Sequence, residues 1–200
     1  MAGKNRFDQT RLINIANCLT ATRLLLMPLF IYLLLARREK AALLVFVICG
    51  VTDGLDGILA RRLRQRTMVG AYLDPIADKI LIASSFVVLS YIKIVPLWLT
   101  VLVISRDLFI LVGSTLYLML IDLTDIRPTA LSKLNTAVQV MTVVYFLTYA
   151  AFPELMSFPR AGEESFFLPS LIIWLCAATT AISGAQYFYM GIRTLSNEPK

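Results

Sequence analysis

The 200 residues are 58% hydrophobic with a mean hydropathy of +0.74, far from the balance of a soluble domain and typical of a polytopic membrane protein. The formal charge of +6 rests on basic residues that border apolar runs without an aromatic-interleaved basic groove, so anionic lipid headgroups are the expected partner rather than nucleic acid. No histidine occurs, which excludes serine or cysteine nucleophiles activated by a histidine base.

In chain order, the N-terminal segment 1–22, and residues 5–20 in particular, mixes charged and apolar positions and predicts an interfacial helix; an ordinary capped helix start is the alternative. Six apolar runs follow at about 23–36, 41–60, 73–92, 95–121, 136–152 and 168–193. They predict an all-α fold, a single membrane domain over 1–200 with six transmembrane helices. Residues 24–36 also fit the apolar core of a signal peptide, but Leu35-Ala36-Arg37 is a poor cleavage site. The stretch from Pro153 to Pro169 is too polar to span and is expected to cap the non-cytoplasmic face. Cys18, Cys49 and Cys176 are scattered among apolar neighbours and read as packing residues.

With six spans, Lys4, Arg6, Arg11, Arg23, the Arg61 to Arg66 loop, Arg127, Lys133, Arg193 and Lys200 fall on the side of the termini. Only Arg37, Arg38, Lys40, Lys93 and Arg160 fall opposite, which predicts both termini in the cytoplasm. No long Arg- and Ser-rich leader precedes the first run, which favours a bacterial inner (plasma) membrane over a mitochondrial one.

The second and third runs carry the chemistry. Asp53 and Asp56 lie three residues apart and Asp74 and Asp78 four apart, spacings that put each pair on one helix face. An ionisable group in hydrocarbon costs roughly 3 to 17 kcal/mol, so four acids there imply a compensating cation. An all-oxygen cluster in a chain without histidine favours a hard divalent ion, Mg²⁺ or Mn²⁺. The alternative is that the acids only neutralise Arg61, Arg62, Arg64, Arg66 and Lys79 at the membrane edge. Gly57 and Ala60 remove bulk beside the first pair, either for close helix packing or for a phosphate-bearing ligand, and Arg61 offers a bidentate phosphate donor. Carboxylates beside a phosphate arginine imply metals bridging the two, and two ions held by four acids suit displacement at phosphorus. Any general base must then be a carboxylate, and Asp78, deepest by sequence in its run, is the candidate.

The string Asp53-x2-Asp56-Gly57-x2-Ala60-Arg61-x8-Gly70-x3-Asp74-x3-Asp78 resembles the signature of the CDP-alcohol phosphatidyltransferases, with every defining position present. The stretch Asn14 to Arg23 is similar to that family's lead-in to its first span, with Ala16 where many members have proline. The resemblance implies a six-helix membrane fold with a cytoplasm-facing polar cavity, a homodimer, and transfer of a phosphatidyl group from CDP-diacylglycerol to an alcohol with release of CMP. It further implies that Asp53, Asp56, Asp74 and Asp78 hold two metal ions, that Asp78 activates the acceptor hydroxyl, and that Gly57, Ala60, Arg61, Thr67 and Gly70 surround the CDP moiety.

Arg106 and Lys133, cations beside apolar runs, are the candidate acceptor-binding residues, with an Arg106–Asp107 salt bridge as the alternative for the first. The segments Ile104–Asp107 and Arg127–Gln139 look most like those of the cardiolipin-forming branch. Relatives that use glycerol-3-phosphate tend to carry more basic residues there, where this chain has no second arginine after Arg106 and Asn135 in place of a second lysine. The expected acceptor is therefore phosphatidylglycerol, giving cardiolipin; glycerol-3-phosphate, giving phosphatidylglycerophosphate, is the alternative. An ion-coupled transporter is a remote third reading, since the acids cluster at one face and no second half repeats them.

Overall fold

Apolar stripes at helical spacing and short connections set the local architecture. The structure, a computed structural model, describes the backbone of residues 15–63, 68–121, 129–154 and 167–196 and the side chains of 22–52, 78–113, 129–154 and 168–190. Six helices occupy it: α1 (Ile15–Leu35), α2 (Glu39–Leu63), α3 (Met68–Tyr91), α4 (Leu97–Ile121), α5 (Ala130–Ala151) and α6 (Phe167–Ser196). There is no strand among the described residues, so the all-α expectation holds. Each predicted apolar run coincides with one helix. The helices α1 and α5 begin well before their apolar runs, because a helix does not stop where hydrophobicity does. In α1, residues 15–22 are continuous with the run that follows. Among the described residues, Ala130–Ala151 and Leu168–Met190 are each long and apolar enough by themselves to cross a bilayer, and Thr22–Leu35 is a shorter apolar stretch.

The chain divides into two units, residues 1–88 with 147–152, and residues 89–146 with 153–200. In the first, α1 packs on α2. Met27, Phe30 and Leu34 recur every three or four residues and are buried, as are Ala42, Val45, Phe46 and Cys49. The Phe30 and Phe46 rings lie 5.8 Å apart. Arg23 occupies the head of the same α1 stripe and is also buried. The opposite faces expose Leu25, Leu29 and Tyr32 on α1 and Leu44, Ile48 and Val51 on α2, as expected of surfaces turned to lipid. Pro28 removes one backbone donor inside α1, a loss that membrane helices tolerate. Lys40 lies 5.2 Å over the Phe152 ring.

In the second unit α4 packs on α6, and the buried stripes are partly polar. Leu99, Thr100, Val103 and Arg106 on α4, Asn135, Gln139, Thr142 and Phe146 on α5, and Cys176, Thr180 and Ser183 on α6 are buried. Leu97, Val101, Phe109, Trp174, Ile182 and Phe188 are exposed. The Trp98 and Trp174 rings approach to 5.5 Å. Thr129 caps α5, its hydroxyl accepting the Ser132 N–H at 3.2 Å.

Two helix ends stop in the same unusual way. Arg37 has φ 58° and Lys93 φ 63°, left-handed values that glycine adopts without penalty. At the first, Arg38 N–H donates to Leu33 C=O at 2.9 Å and Arg37 N–H to Leu34 C=O at 3.2 Å; at the second, Ile94 N–H donates to Leu89 C=O at 2.9 Å and Lys93 N–H to Ser90 C=O at 3.0 Å. These are paired bonds closing a helix C-terminus, with cations where the helix dipole favours them. Arg37→Gly and Lys93→Gly should each stabilise the protein by about 0.5–1 kcal/mol, the left-handed penalty less glycine's added chain entropy. A higher thermal unfolding midpoint in detergent checks this, and an unchanged or lower one would mean that the cation's attraction to the helix end outweighs the backbone cost.

Candidate active site

The acid pattern is carried by consecutive helices joined at residues 64–67. Asp53, Asp56, Gly57, Ala60 and Arg61 lie in the last eleven residues of α2, and Gly70, Asp74 and Asp78 in the first eleven of α3. Asp53 is ten residues from the end of α2 and Asp78 ten from the start of α3, so each helix carries its acids over a similar depth, about 15 Å from the connection at 1.5 Å per residue. Helical rise separates Asp53 from Asp56 by about 4.5 Å along the axis and Asp74 from Asp78 by about 6 Å, with each pair on one face. The side chains of Asp53, Asp56, Asp74, Ala60 and Arg61 lie outside the described ones, and Thr67 lies outside the described residues altogether. Thr52, next to Asp53, turns its hydroxyl back onto its own helix, donating to the carbonyls of Ile48 at 2.8 Å and Cys49 at 2.9 Å.

Asp78 is the acid whose surroundings are described. Its Oδ1 accepts a hydrogen bond from Nη1 of Arg23, fifty-five residues away on α1. The pair is lopsided: the arginine side chain is 0% exposed and the aspartate side chain 41%. A buried guanidinium without an anion would cost several kcal/mol, so Arg23 is stabilised by Asp78 far more than Asp78 is by Arg23. Charge counting groups Arg23 with the cytoplasmic loop cations; the structure instead buries it within a helix. The readable signal is its position in the series 23, 27, 30, 34, which is the buried face of α1.

As donors, the four acids suit a hard divalent ion: all oxygen, on one face of each helix, in a chain with neither histidine nor a close cysteine pair. Among the described side chains there is no cluster of three potential ligands, since three of the four acids lie outside them.

The two acceptor candidates belong to the second unit. Arg106 is buried and ties three helices: Nη1 donates to Asp107 at 2.7 Å, and Nη2 to Ser132 on α5 at 2.9 Å and to Ser183 on α6 at 2.6 Å. The Cα of Gly184 lies close by, such that a Cβ there would meet the Arg106 stem at 3.5 Å. Lys133 is the chain neighbour of Ser132 and is exposed, so both cations serve the N-terminal end of α5. Deeper along α5, Asn135 Oδ1 accepts from the Thr180 hydroxyl at 3.0 Å, while the amide of Gln139 is fully buried with no hydrogen-bond partner among the described residues.

A family model described as CDP-alcohol phosphatidyltransferase matches residues 13–182. The chain is 35% identical over 199 residues to the cardiolipin synthase (CMP-forming) of Rattus norvegicus, covering 90% of this chain and 62% of that protein; the human protein of the same name aligns equally. It is 31% identical over 193 residues to the CDP-diacylglycerol–glycerol-3-phosphate 3-phosphatidyltransferase of Bacillus subtilis, covering 88% of this chain and 94% of that one. The chain thus spans about three-fifths of the mammalian relatives and nearly the whole of the bacterial one.

Ser183→Ala removes one of the acceptors of a buried guanidinium and should cost about 1–3 kcal/mol. The check is a drop in thermal unfolding midpoint; an unchanged midpoint would mean that Ser183 contributes nothing to holding Arg106 between α4 and α6.

Proposed function

This chain belongs to the CDP-alcohol phosphatidyltransferase family, and from that premise we propose that it transfers the phosphatidyl group of CDP-diacylglycerol to an alcohol, releasing CMP. The observation that carries this reading is the four-aspartate ladder on consecutive helices, ending in an Asp78 that is open on one side and anchored by a buried cation on the other. Two Mg²⁺ or Mn²⁺ ions held by Asp53, Asp56, Asp74 and Asp78 would neutralise the diphosphate and the charge that develops on the leaving oxygen.

The chain's own residues then divide the work. Gly57, Ala60 and Gly70 leave room for the nucleotide against the backbone, Thr67 lines it, and Arg61 grips the diphosphate by its planar fork. Asp78 takes the proton of the acceptor hydroxyl as that oxygen bonds to the phosphatidyl phosphorus. The bond from that phosphorus to the oxygen of CMP breaks, and CMP departs with the electron pair.

For the acceptor, phosphatidylglycerol is the reading favoured by charge. Asp107 balances Arg106, which leaves Lys133 as the surplus cation at the start of α5 among the described residues. One surplus cation suits a monoanionic phosphodiester better than a dianionic phosphomonoester. Glycerol-3-phosphate remains the second reading, favoured by the length match to the Bacillus relative. The proposed enzyme is an integral membrane protein of six spans, as the six apolar runs suggest, with both termini in the cytoplasm of a bacterium, a cavity open to the cytoplasm and laterally to lipid, where the donor's acyl chains stay, and a homodimeric assembly. Exposed Tyr91 and Trp98 at helix ends, with Trp174 packed against Trp98, suit the membrane–water boundary.

Purified protein given CDP-diacylglycerol and Mg²⁺ or Mn²⁺ should release CMP with phosphatidylglycerol. Release with glycerol-3-phosphate alone would overturn the lipid acceptor, and no release with any alcohol would overturn the transfer reading. Asp78→Asn should lower kcat at least about 100-fold while leaving CDP-diacylglycerol and metal binding within a few-fold, whereas Asp53→Ala should weaken metal binding itself. Equal loss of donor binding in both variants contradicts this division. Arg61→Lys should weaken donor binding about tenfold, since it keeps the charge and loses the fork, one charge-assisted hydrogen bond being worth ~1.5 kcal/mol; unchanged donor affinity would remove Arg61 from the diphosphate site.

A further inference from the structure

We infer that Arg23 is a positioning residue of the transfer reaction: through its ion pair it fixes the orientation of Asp78. This rests on the reading of Asp78 as the base. The asymmetry of the pair carries the argument. Arg23 is wholly buried at the head of the stripe that runs through Met27, Phe30 and Leu34, so its stem is set by the packing of α1. Its partner is on α3 and is 41% exposed. An ion pair that served only to neutralise a buried charge would gain most by burying both members, because Coulomb attraction strengthens as water is excluded. Here the cation is sunk in the protein and the anion faces outward. That is the arrangement of an anchor and the group it aims.

The chemistry of the two side chains fits this division. Arginine stays charged under all physiological conditions, and the charge-assisted hydrogen bond from its Nη1 to Oδ1 of Asp78 holds the carboxylate by direction as well as by charge. An aspartate in the first half of a helix otherwise rotates about two side-chain bonds. A base that must meet a hydroxyl proton gains rate from such restriction, since misplacement by about 1 Å costs on the order of 100-fold. Four acids on consecutive helices also repel one another, and a fixed cation at the last of them offsets part of that repulsion. The proposal adds a third helix, α1, to chemistry whose sequence pattern lies wholly on α2 and α3.

The test uses the full chain purified in detergent or nanodiscs, with Arg23→Gln and Arg23→Lys compared with the unsubstituted protein. Four quantities are read: kcat and KM for CMP release, CDP-diacylglycerol affinity, and Mn²⁺ affinity from the paramagnetic signal of free Mn²⁺. For Arg23→Gln the expected result is a kcat at least about tenfold lower, donor affinity within about twofold, and Mn²⁺ bound as tightly or more tightly, because a cation has been removed from beside a carboxylate. Arg23→Lys should recover part of kcat, and its folding is secured by the retained charge. In an Asp78→Glu background, Arg23→Gln should lower kcat by less than it does in the unsubstituted protein, as expected when one residue acts through the other. Unchanged kcat in folded Arg23→Gln would overturn the proposal, as would Mn²⁺ and donor affinities that fall in step with kcat, the signature of a site lost as a whole. Absence of CMP release from the unsubstituted protein would instead overturn the transfer reading beneath it.

Discussion

A charge inside an apolar helix bundle must find its counter-charge within the protein, and the described structure is organised around two places where this happens. Arg23 meets Asp78 in one unit, and Arg106 meets Asp107, Ser132 and Ser183 in the other. Neither guanidinium has water to fall back on. Breaking a buried pair by removing one partner typically costs about 3–5 kcal/mol, several times the worth of an exposed one. These contacts therefore fix which helix faces meet, where apolar packing alone would tolerate rotation.

The rest of the packing follows an inverted pattern. In the second unit, α5 buries Asn135, Gln139 and Thr142 and exposes Leu134 and Met141, and α6 buries Thr180 and Ser183 and exposes Ile182 and Phe188. In water such helices would turn the other way. In lipid, apolar side chains gain nothing by leaving the surface, and helix association relies on close packing and interhelical hydrogen bonds. The Asn135–Thr180 bond and the Arg106 tie supply such bonds between α5, α6 and α4. The hydroxyls of Thr52, Ser84, Ser85 and Thr142 return to carbonyls of their own helices, which satisfies them without a partner helix.

The same economy bears on function. An exposed carboxylate is costly in hydrocarbon unless a cation stands behind it, and Arg23 stands behind Asp78 without covering it, as the proposed base would need. In the second unit Asp107 pairs with Arg106 and so lowers the positive charge beside the start of α5.

The number and order of the helices were legible in the sequence, because hydrophobic runs and helical spacing are local properties. The acid ladder was legible for the same reason: spacings of three and four residues put Asp53 with Asp56 and Asp74 with Asp78 on single faces whatever the tertiary fold. The family match to residues 13–182 includes that local pattern. Two things were not legible. Arg23 reads as one more loop cation until its burial is known, and Arg106 offers a choice between substrate and Asp107 that its neighbours alone do not decide. In the structure Arg23 meets Asp78 and Arg106 meets Ser183, partners 55 and 77 residues away. The sequence alone determined the elements and the acid ladder two of them carry, since those depend on neighbours within a helical turn. Only the tertiary structure decided which buried cation meets which acid or hydroxyl, since that depends on the distances between helices, which no local pattern encodes.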